Sequence, residues 1–462
     1  ALVGAEALAL LAVVASAALF ATLVIREWGD RARWSGRAFA VLGSAPIFTG
    51  TYAYAAGVAA ALGALVLLQR GRPWPALACA ALAAGLSPLA FAFLGLVVAA
   101  VALVRRPPAA LTVRVGAGMA AIAGALLGLA AAFPEDGRYG FRASELVYAL
   151  AASAWIALIA LRSPRGRLLA AVLLAIGIAC VVAFVVPSPV GSNLTRFRAY
   201  AFPLALLAAC LVSFRPRWLT VPAVALALSY SVSPYVAVAT ELGDTRAASS
   251  RFWAPTLDVL RARTSLDYRI DVVPTFDNWE AYYVPTAGLP LARGWYRQLD
   301  LARNGALYRS GLTGAEYRAW LRSRGVKLVV LPLAPLDRLG AAPQADLLRS
   351  GRSGLVEVAR TPQTIVYELP AATPILTGPA GARITAYDHD RITGTVSAPG
   401  SYTLRLSPTP YLTVRSGSVC LETGSGRGTT RLVATRAGPF ELGVPGPGEL
   451  LRIAFGARGA GC

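Results

Sequence analysis

The sequence predicts a polytopic α-helical membrane domain, followed by an extracytoplasmic α/β domain and a C-terminal β-sandwich-like domain. Up to about residue 240 the chain consists of Ala/Leu/Val runs broken by short Arg-bearing loops, whereas from Glu241 onward it has ordinary alternation, turns and acids. With 56% hydrophobic and 15% charged positions and a mean hydropathy of +0.56, the 462 residues are too apolar for a wholly soluble protein. The formal charge of +20 comes with a single lysine, Lys327, and no Lys/Arg-rich run. The arginines of the first half fall between apolar runs, as the positive-inside rule requires, so nucleic acid is excluded as a partner.

A hydrocarbon core of about 30 Å needs roughly 20 apolar residues per helix. Spans are predicted at 1–25, 114–132, 145–161, 168–186, 199–214 and 218–240. The first begins inside an apolar helix, "ALVGAEALALLAVVASAALFATLVI", with no Met and no charged leader, so further chain is expected upstream. Two stretches admit either one kinked helix or a hairpin of two short ones: 38–68, with "GSAPIFTGTY" at its centre, and 75–104, with "GLSPLAF". If both are hairpins, the arginine clusters at 26–37, 70–72, 105–114, 162–167 and 215–217 share one side, leaving Arg138, Arg142, Arg196 and Arg198 on the other. This asymmetry favours about ten passes, with the clusters cytoplasmic. The membrane domain is then 1–240 of an inner (cytoplasmic) membrane protein, and everything after it is extracytoplasmic.

The α/β domain is predicted over 241–373. "RFWAPTLDVLRARTSLDYRIDVVPTFDNWEAYYV" reads helix, strand and a loop opening a helix; "TGAEYRAWLRSRGVKLVVLP" reads helix then buried strand, with Thr313 as N-cap and Glu316 completing a capping box. A helix near 341–349 precedes the alternating strands "GLVEVAR" and "TIVYELP". Residues 370–379 read as a linker, and 374–462 as short alternating strands between Pro/Gly turns. Cys79, Cys180 and Cys210 lie within spans and read as small packing residues. Cys420 and Cys462 fall in the exported part, where a disulfide between them is compatible with the compartment and a free terminal thiol is the alternative.

No GxGxxG, P-loop, HExxH or GxSxG pattern is present, and His389 is the only histidine, flanked by Asp388 and Asp390 in a turn-like stretch. Attention therefore moves to the charged island "FPEDGRYGF" at 133–141. A charge near hydrocarbon implies water, a partner or a task. Glu135 or Asp136 suits a general base on an acceptor hydroxyl, or a ligand for a divalent cation carrying a lipid phosphate. Arg138, Arg142, Arg196 and Arg198, with Asn193 in "PSPVGSNLTRFR", suit that phosphate, because guanidinium forks match its oxygens. The alternative is an interfacial turn whose charges neutralise one another. Trp279, Glu280 and Trp295, together with Asp277, Tyr282, Tyr283, Arg293, Tyr296 and Arg297, have the composition of a sugar platform, or of plain aromatic packing.

"GLSPLAFAFLGL", "FPEDGRYGF", "VVPSPVGSNLTRF", "VVPTFDNWEAYYV" and "LARGWYRQLDLARNGALYRSGLTGAEYRAWL", in that order, resemble an actinobacterial group of polytopic membrane proteins similar to GT-C glycosyltransferases. The resemblance implies a GT-C-like membrane glycosyltransferase that moves a sugar from a polyprenyl-phosphate donor to a cell-envelope glycan. It also implies a catalytic Asp or Glu in a first external loop that these residues do not contain. Glu135 and Asp136 would then assist that acid or replace it. The alternative on the same scaffold is a non-catalytic envelope-assembly or lipid-glycan transport protein.

Overall fold

The computed structural model describes residues 4–454 except 134–136, 242–244, 295, 389, 410 and 424–427. The chain divides into two compact units, Ala1–Gly243 and Asp244–Cys462.

The first unit is helical: α1 (Ala5–Trp28), α2 (Arg33–Leu42), α3 (Ala45–Phe48), α4 (Tyr52–Gln69), α5 (Pro73–Leu86), α6 (Pro88–Arg105), α7 (Ala109–Ala132), α8 (Ala143–Leu161), α9 (Arg167–Val185), α10 (Arg198–Leu211) and α11 (Arg217–Glu241). Eight helical stretches among the described residues, counting Ala5–Phe48 as one, are long and apolar enough to cross a membrane, so this is a multi-pass membrane protein. Both ambiguous stretches are broken in two. At "GLSP" the Ser87 side chain accepts from the Ala90 amide and Pro88 occupies the first turn, where its missing N–H costs nothing, so α6 starts afresh. Between α2 and α4, Gly50 at φ +63° and Pro46 interrupt the helix.

Packing shows that the short helices run against their neighbours. Gly36 of α2 meets Ala21 of α1, and Ile47 lies back beside Ala12 and Val13, so α2 and α3 run antiparallel to α1. On α4, Gly57 faces Ser87 while Gly63 faces Cys79, so α5 is antiparallel to α4. These approaches depend on small residues: a Cβ on Gly57 would stand 2.8 Å from that of Ser87.

The arginine clusters gather at one end. The Trp28 indole donates to the Arg165 carbonyl at 2.8 Å, Arg105 pairs with Glu27, and Gln69 Nε2 donates to the Leu23 carbonyl at 3.2 Å. The exposed indoles of Trp34 and Trp74 carry Arg37 and Arg114 over their rings at 4.8 and 5.8 Å, the amphipathic pairing expected at a membrane–water boundary. The opposite end carries the described residues of loops 133–142 and 186–197, and α11 ends there beside α3, with the Tyr235 hydroxyl 3.0 Å from that of Ser44.

The second unit opens with α12 (Ser250–Arg263) and β1 (Arg269–Val272), followed by α13 (Glu280–Thr286), α14 (Arg297–Asn304), α15 (Gly314–Ser323), β2 (Val326–Pro332), α16 (Ala342–Arg349), β3 (Val356–Arg360) and β4 (Thr364–Glu368). Their sheet has the order β1-β2-β4-β3, with β1 and β2 parallel and the remaining pairs antiparallel. The capping box on α15 is formed: the Glu316 amide donates to Thr313 Oγ1 at 3.2 Å, and the Thr313 amide to Glu316 Oε2 at 3.0 Å.

Then follow β5 (Leu376–Thr377), β6 (Ala382–Tyr387), β7 (Arg391–Val396), β8 (Gly400–Leu404), β9 (Thr413–Ser416), β10 (Val419–Thr423), β11 (Thr430–Ala434), β12 (Gly438–Gly443) and a last helix, α17 (Pro447–Ala454). They form two four-stranded sheets, β10-β11-β8-β5 and β6-β7-β12-β9. Both contribute to one core, Leu376, Tyr402 and Leu432 from the first and Ile384, Ile392, Phe440 and Leu442 from the second, which makes a sandwich.

The segment 370–379 is more than a linker, because it supplies β5 and the fully buried Ile375. It helps bind the sandwich to the α/β sheet: the Ile375 amide donates to the Asp267 carbonyl at 2.7 Å, and the buried Arg269 donates to the carbonyls of Arg324 and Arg405 at 2.8 and 2.6 Å. The unit therefore holds together as one body, where the sequence suggested two domains. Cys79, Cys180 and Cys210 are free thiols in the helical unit. Cys462 and His389 lie outside the described residues, so the Cys420–Cys462 pairing is not placed.

Candidate functional site

Two loops meet at the end of the helical unit opposite the arginine clusters. The Tyr139 amide donates to the Ser188 carbonyl at 3.1 Å, and Gly191, at φ +42°, lies against the Tyr139 carbonyl, where a Cβ would come to 1.9 Å. Only glycine fits that approach. The edge of Phe141 meets Phe184 at 6.0 Å between ring centres, which closes the same corner. The antiparallel pair α8 and α9 thus brings together two loops more than forty residues apart.

On this corner, residues 191–197 form a short 3-10 helix. It presents Asn193 and Arg196 side by side: Arg196 Nη2 donates to Asn193 Oδ1 at 3.1 Å, and the guanidinium lies 5.0 Å from the ring centre of Tyr54 on α4. Amide and ring fix the fork in place. Arg138 and Arg142 are exposed on the partner loop, where the Arg142 amide donates to Glu145 Oε2 at 3.4 Å. Arg198 opens α10 and its carbonyl accepts from the Ser231 hydroxyl. Glu135 and Asp136 lie outside the described residues.

Between α6 and α9 runs an apolar groove of about 590 Å³, lined by Ala92, Leu96, Ile178, Val182, Val190 and Leu194. Its last residues, Ser188, Val190 and Leu194, belong to the stretch that carries Asn193 and Arg196. That volume lies within the usual range of ligand pockets. A long apolar chain in the groove would bring its polar head to the arginine-bearing rim.

The second place is the end of β1 in the other unit. Asp271 is fully buried in the strand, and its Oδ2 accepts from the Tyr317 hydroxyl at 2.8 Å and from Gln344 Nε2 at 2.9 Å. The buried Arg293 donates to Gln344 Oε1 at 2.7 Å and to Asp300 Oδ2 at 2.8 Å; Asp300 also accepts from Asn304 at 2.9 Å and from Tyr308. Arg297 grips Asp337 with two bonds of 2.8 Å. Burial raises Asp271 against the pull of Arg293; burial works against the charge of Arg293, but Asp300 and Asp271 outweigh it and hold that group above its ordinary value. The cleft among these groups offers about 10 Å³, room for roughly one water.

This geometry corrects the sugar-platform reading. Glu280 is only 5% exposed, and its Oε2 accepts from the Thr275 hydroxyl at 2.6 Å and the Thr275 amide at 3.0 Å. Trp279 packs on Tyr283, 6.2 Å between ring centres, and Tyr283 stacks in turn on the buried Trp253. Glu280 and Trp279 therefore serve the interior of the unit, while Tyr282 and Tyr296 are exposed and Trp295 lies outside the described residues. Trp279 and Tyr283 follow the alternative of plain aromatic packing, and the turn that carries Glu280 points inward to Thr275. Asp271, Asp300 and Gln344 went unnoticed in the sequence; the one signal was an acid within the apolar strand "RIDVV".

Burial pushes the Glu280 carboxyl up to about 7, with the Thr275 bonds opposing it. A carboxyl raised from 4.5 holds its proton more tightly when folded, so its stabilising effect is complete below pH 4.5 and is lost as pH rises to about 7. Denaturant unfolding of the full chain, followed by tryptophan fluorescence, is expected to show the second unit losing about 3 kcal/mol across that window. Glu280→Gln should flatten this dependence; an unchanged slope in that variant would assign it to other groups.

Among the described residues no group of three or more His, Cys, Asp or Glu is placed to hold a metal ion. Comparison with protein-family models, with curated proteins and with solved structures found no match for the chain.

Proposed function

We propose that this protein is a GT-C-like glycosyltransferase of the cytoplasmic membrane. It would move a sugar from a polyprenyl-phosphate donor to a cell-envelope glycan at the rim formed by loops 137–142 and 187–198. The observation that carries the reading is the Tyr139–Ser188 hydrogen bond, which joins two arginine-bearing loops at the head of a groove sized for a lipid chain. The arginine clusters at the other end favour that end as cytoplasmic, and the alternating direction of the helices favours ten crossings, α2–α3 and α5 being the short ones. The rim and the second unit are then extracytoplasmic.

In the reaction, the acceptor hydroxyl oxygen attacks the anomeric carbon and the bond from that carbon to the phosphate oxygen breaks. The hydroxyl proton passes to a carboxylate, Glu135 or Asp136 or an acid upstream, and polyprenyl phosphate leaves with the bonding electron pair. Arg196, held by Asn193 and Tyr54, stabilises the charge that grows on the phosphate, helped by Arg138, Arg142 or Arg198. A divalent cation at the phosphate would share that work.

The test is photocrosslinking in membranes with a polyprenyl phosphate bearing a benzophenone on its chain. Label is expected on α9 around Ile178 and Val182, and Ala92→Phe, which fills the groove, should remove it. Label confined to helices outside the groove, or unaffected by Ala92→Phe, would refute this docking.

A further inference from the structure

We propose that the arginine-rich end of the helical unit holds one anionic phospholipid, with an acyl chain in the space between α6 and α7 and its phosphate on Arg105 and Arg106. This site is separate from the groove on α6 and α9 and does not depend on the transferase reading.

A cavity of about 470 Å³ lies behind α6 and α7, closed on its other sides by α1, α4 and α9; its apolar walls include Leu23, Leu68, Val98, Val115, Met119 and Val172. Water would find almost no partners on such walls, whereas an acyl chain fills them with dispersion contacts. The way in is lateral. Val115 is the only buried residue of α7, and that helix packs chiefly on α5, with Gly118 against Leu77, rather than on α6. Gly95 of α6 and Gly116 of α7 both line the cavity, and a Cβ at either position meets nothing within 4 Å.

The polar groups of the cavity sit at one end: Glu27, Gln69, Arg105 and Thr112. Glu27 is neutralised by Arg105, whose side chain remains 53% exposed and has further N–H groups to offer. Asp30, the other acid at this end, pairs with Arg33 at 2.8 Å. Among the described residues the two pairings use both acids of this end, and Arg106, exposed and next in sequence to Arg105, has no ion pair, so the rim carries a net positive field that selects a negative headgroup over a zwitterionic one. Chain-sized space, a lateral seam and a cationic rim together specify an anionic diacyl lipid of the same leaflet.

The experiment is native mass spectrometry of the full chain in mild detergent, titrated in parallel with phosphatidylglycerol, phosphatidylcholine and a polyprenyl phosphate. One phosphatidylglycerol per chain is expected, held at least about tenfold more tightly than phosphatidylcholine. Gly116→Phe, or Gly95→Phe from the facing wall, should weaken that adduct by about tenfold or more at an unchanged melting temperature. A triple change of Glu27→Gln, Arg105→Gln and Arg106→Gln should remove the preference between the two phospholipids while keeping a bound lipid. Equal binding of the phospholipids by the unaltered protein, wild-type binding by both glycine variants, or displacement of phosphatidylglycerol by an equimolar polyprenyl phosphate would overturn the proposal.

Discussion

Asp136→Asn combined with Arg196→Gln is expected to abolish sugar transfer in membranes without lowering the amount of protein. With Asp136 as the base, the asparagine cannot take the acceptor proton, which alone is worth about 10²–10⁴-fold in rate; with Glu135 or an upstream acid as the base, the loss comes from Arg196. The glutamine removes a cationic fork from the departing phosphate, and leaving-group charge is where an active site gains most. The Arg196 change should not unfold the chain: among the described residues its guanidinium is held by Asn193 and the face of Tyr54, and glutamine can still meet the Asn193 amide. Arg196→Lys separates the two roles of this residue. It keeps the charge but loses the planar fork, so intermediate activity is expected. Full transfer by the double variant would reduce "FPEDGRYGF" to an ordinary interfacial turn.

The largest expected stability effect lies in the other unit. Asp300 accepts from Arg293, Asn304 and Tyr308, and both it and Arg293 are nearly excluded from water. Asp300→Ala leaves a buried guanidinium with Asp271 as its nearest compensation, and breaking such a pair costs about 3–5 kcal/mol. Against a typical total of about 5–15 kcal/mol, that should bring the second unit close to unfolding at growth temperature. Limited proteolysis of the full chain would then cut in the second unit and spare the helices. Replacing both charges, Arg293→Met with Asp300→Asn, should recover at least half of the loss, because a neutral asparagine still accepts from Asn304 through its one oxygen and can turn its own N–H toward the Tyr308 hydroxyl. A single variant as resistant as the unaltered protein would mean the pair is wet.

How much of this was legible in the sequence depends on what each signal measures. Hydropathy and the arginine clusters read burial in lipid and charge on loops, and they located the spans and the breaks at "GSAPIFTG" and "GLSP", where Gly, Ser and Pro stop a helix for local reasons. Alternation revealed the strands of the sandwich, since one face of each is buried. What stayed hidden was tertiary. Nothing local distinguishes Glu280, which turns inward to Thr275, from an exposed acid on a loop. Equally, no local pattern shows that Asp271 in "RIDVV" will meet Tyr317 and Gln344 from two helices far along the chain. Helix parity puts Arg138, Arg142, Arg196 and Arg198 on one side, but the contact between their loops rests on Gly191, whose lack of a side chain admits the Tyr139 carbonyl. The cavity behind α6 and α7 left no trace in composition, because its walls have the same residues as any lipid-facing helix.

The most direct measurement is a reconstitution of the purified full chain in liposomes with a radiolabelled polyprenyl-phosphate sugar and a cell-envelope glycan acceptor. The products to be counted are free polyprenyl phosphate and labelled glycan. Release of one polyprenyl phosphate for each sugar added to the acceptor, lost in the Asp136→Asn, Arg196→Gln variant, is the predicted result. Binding or movement of the intact lipid-linked sugar, with the bond between sugar and phosphate unbroken, would contradict it and identify a carrier on the same scaffold.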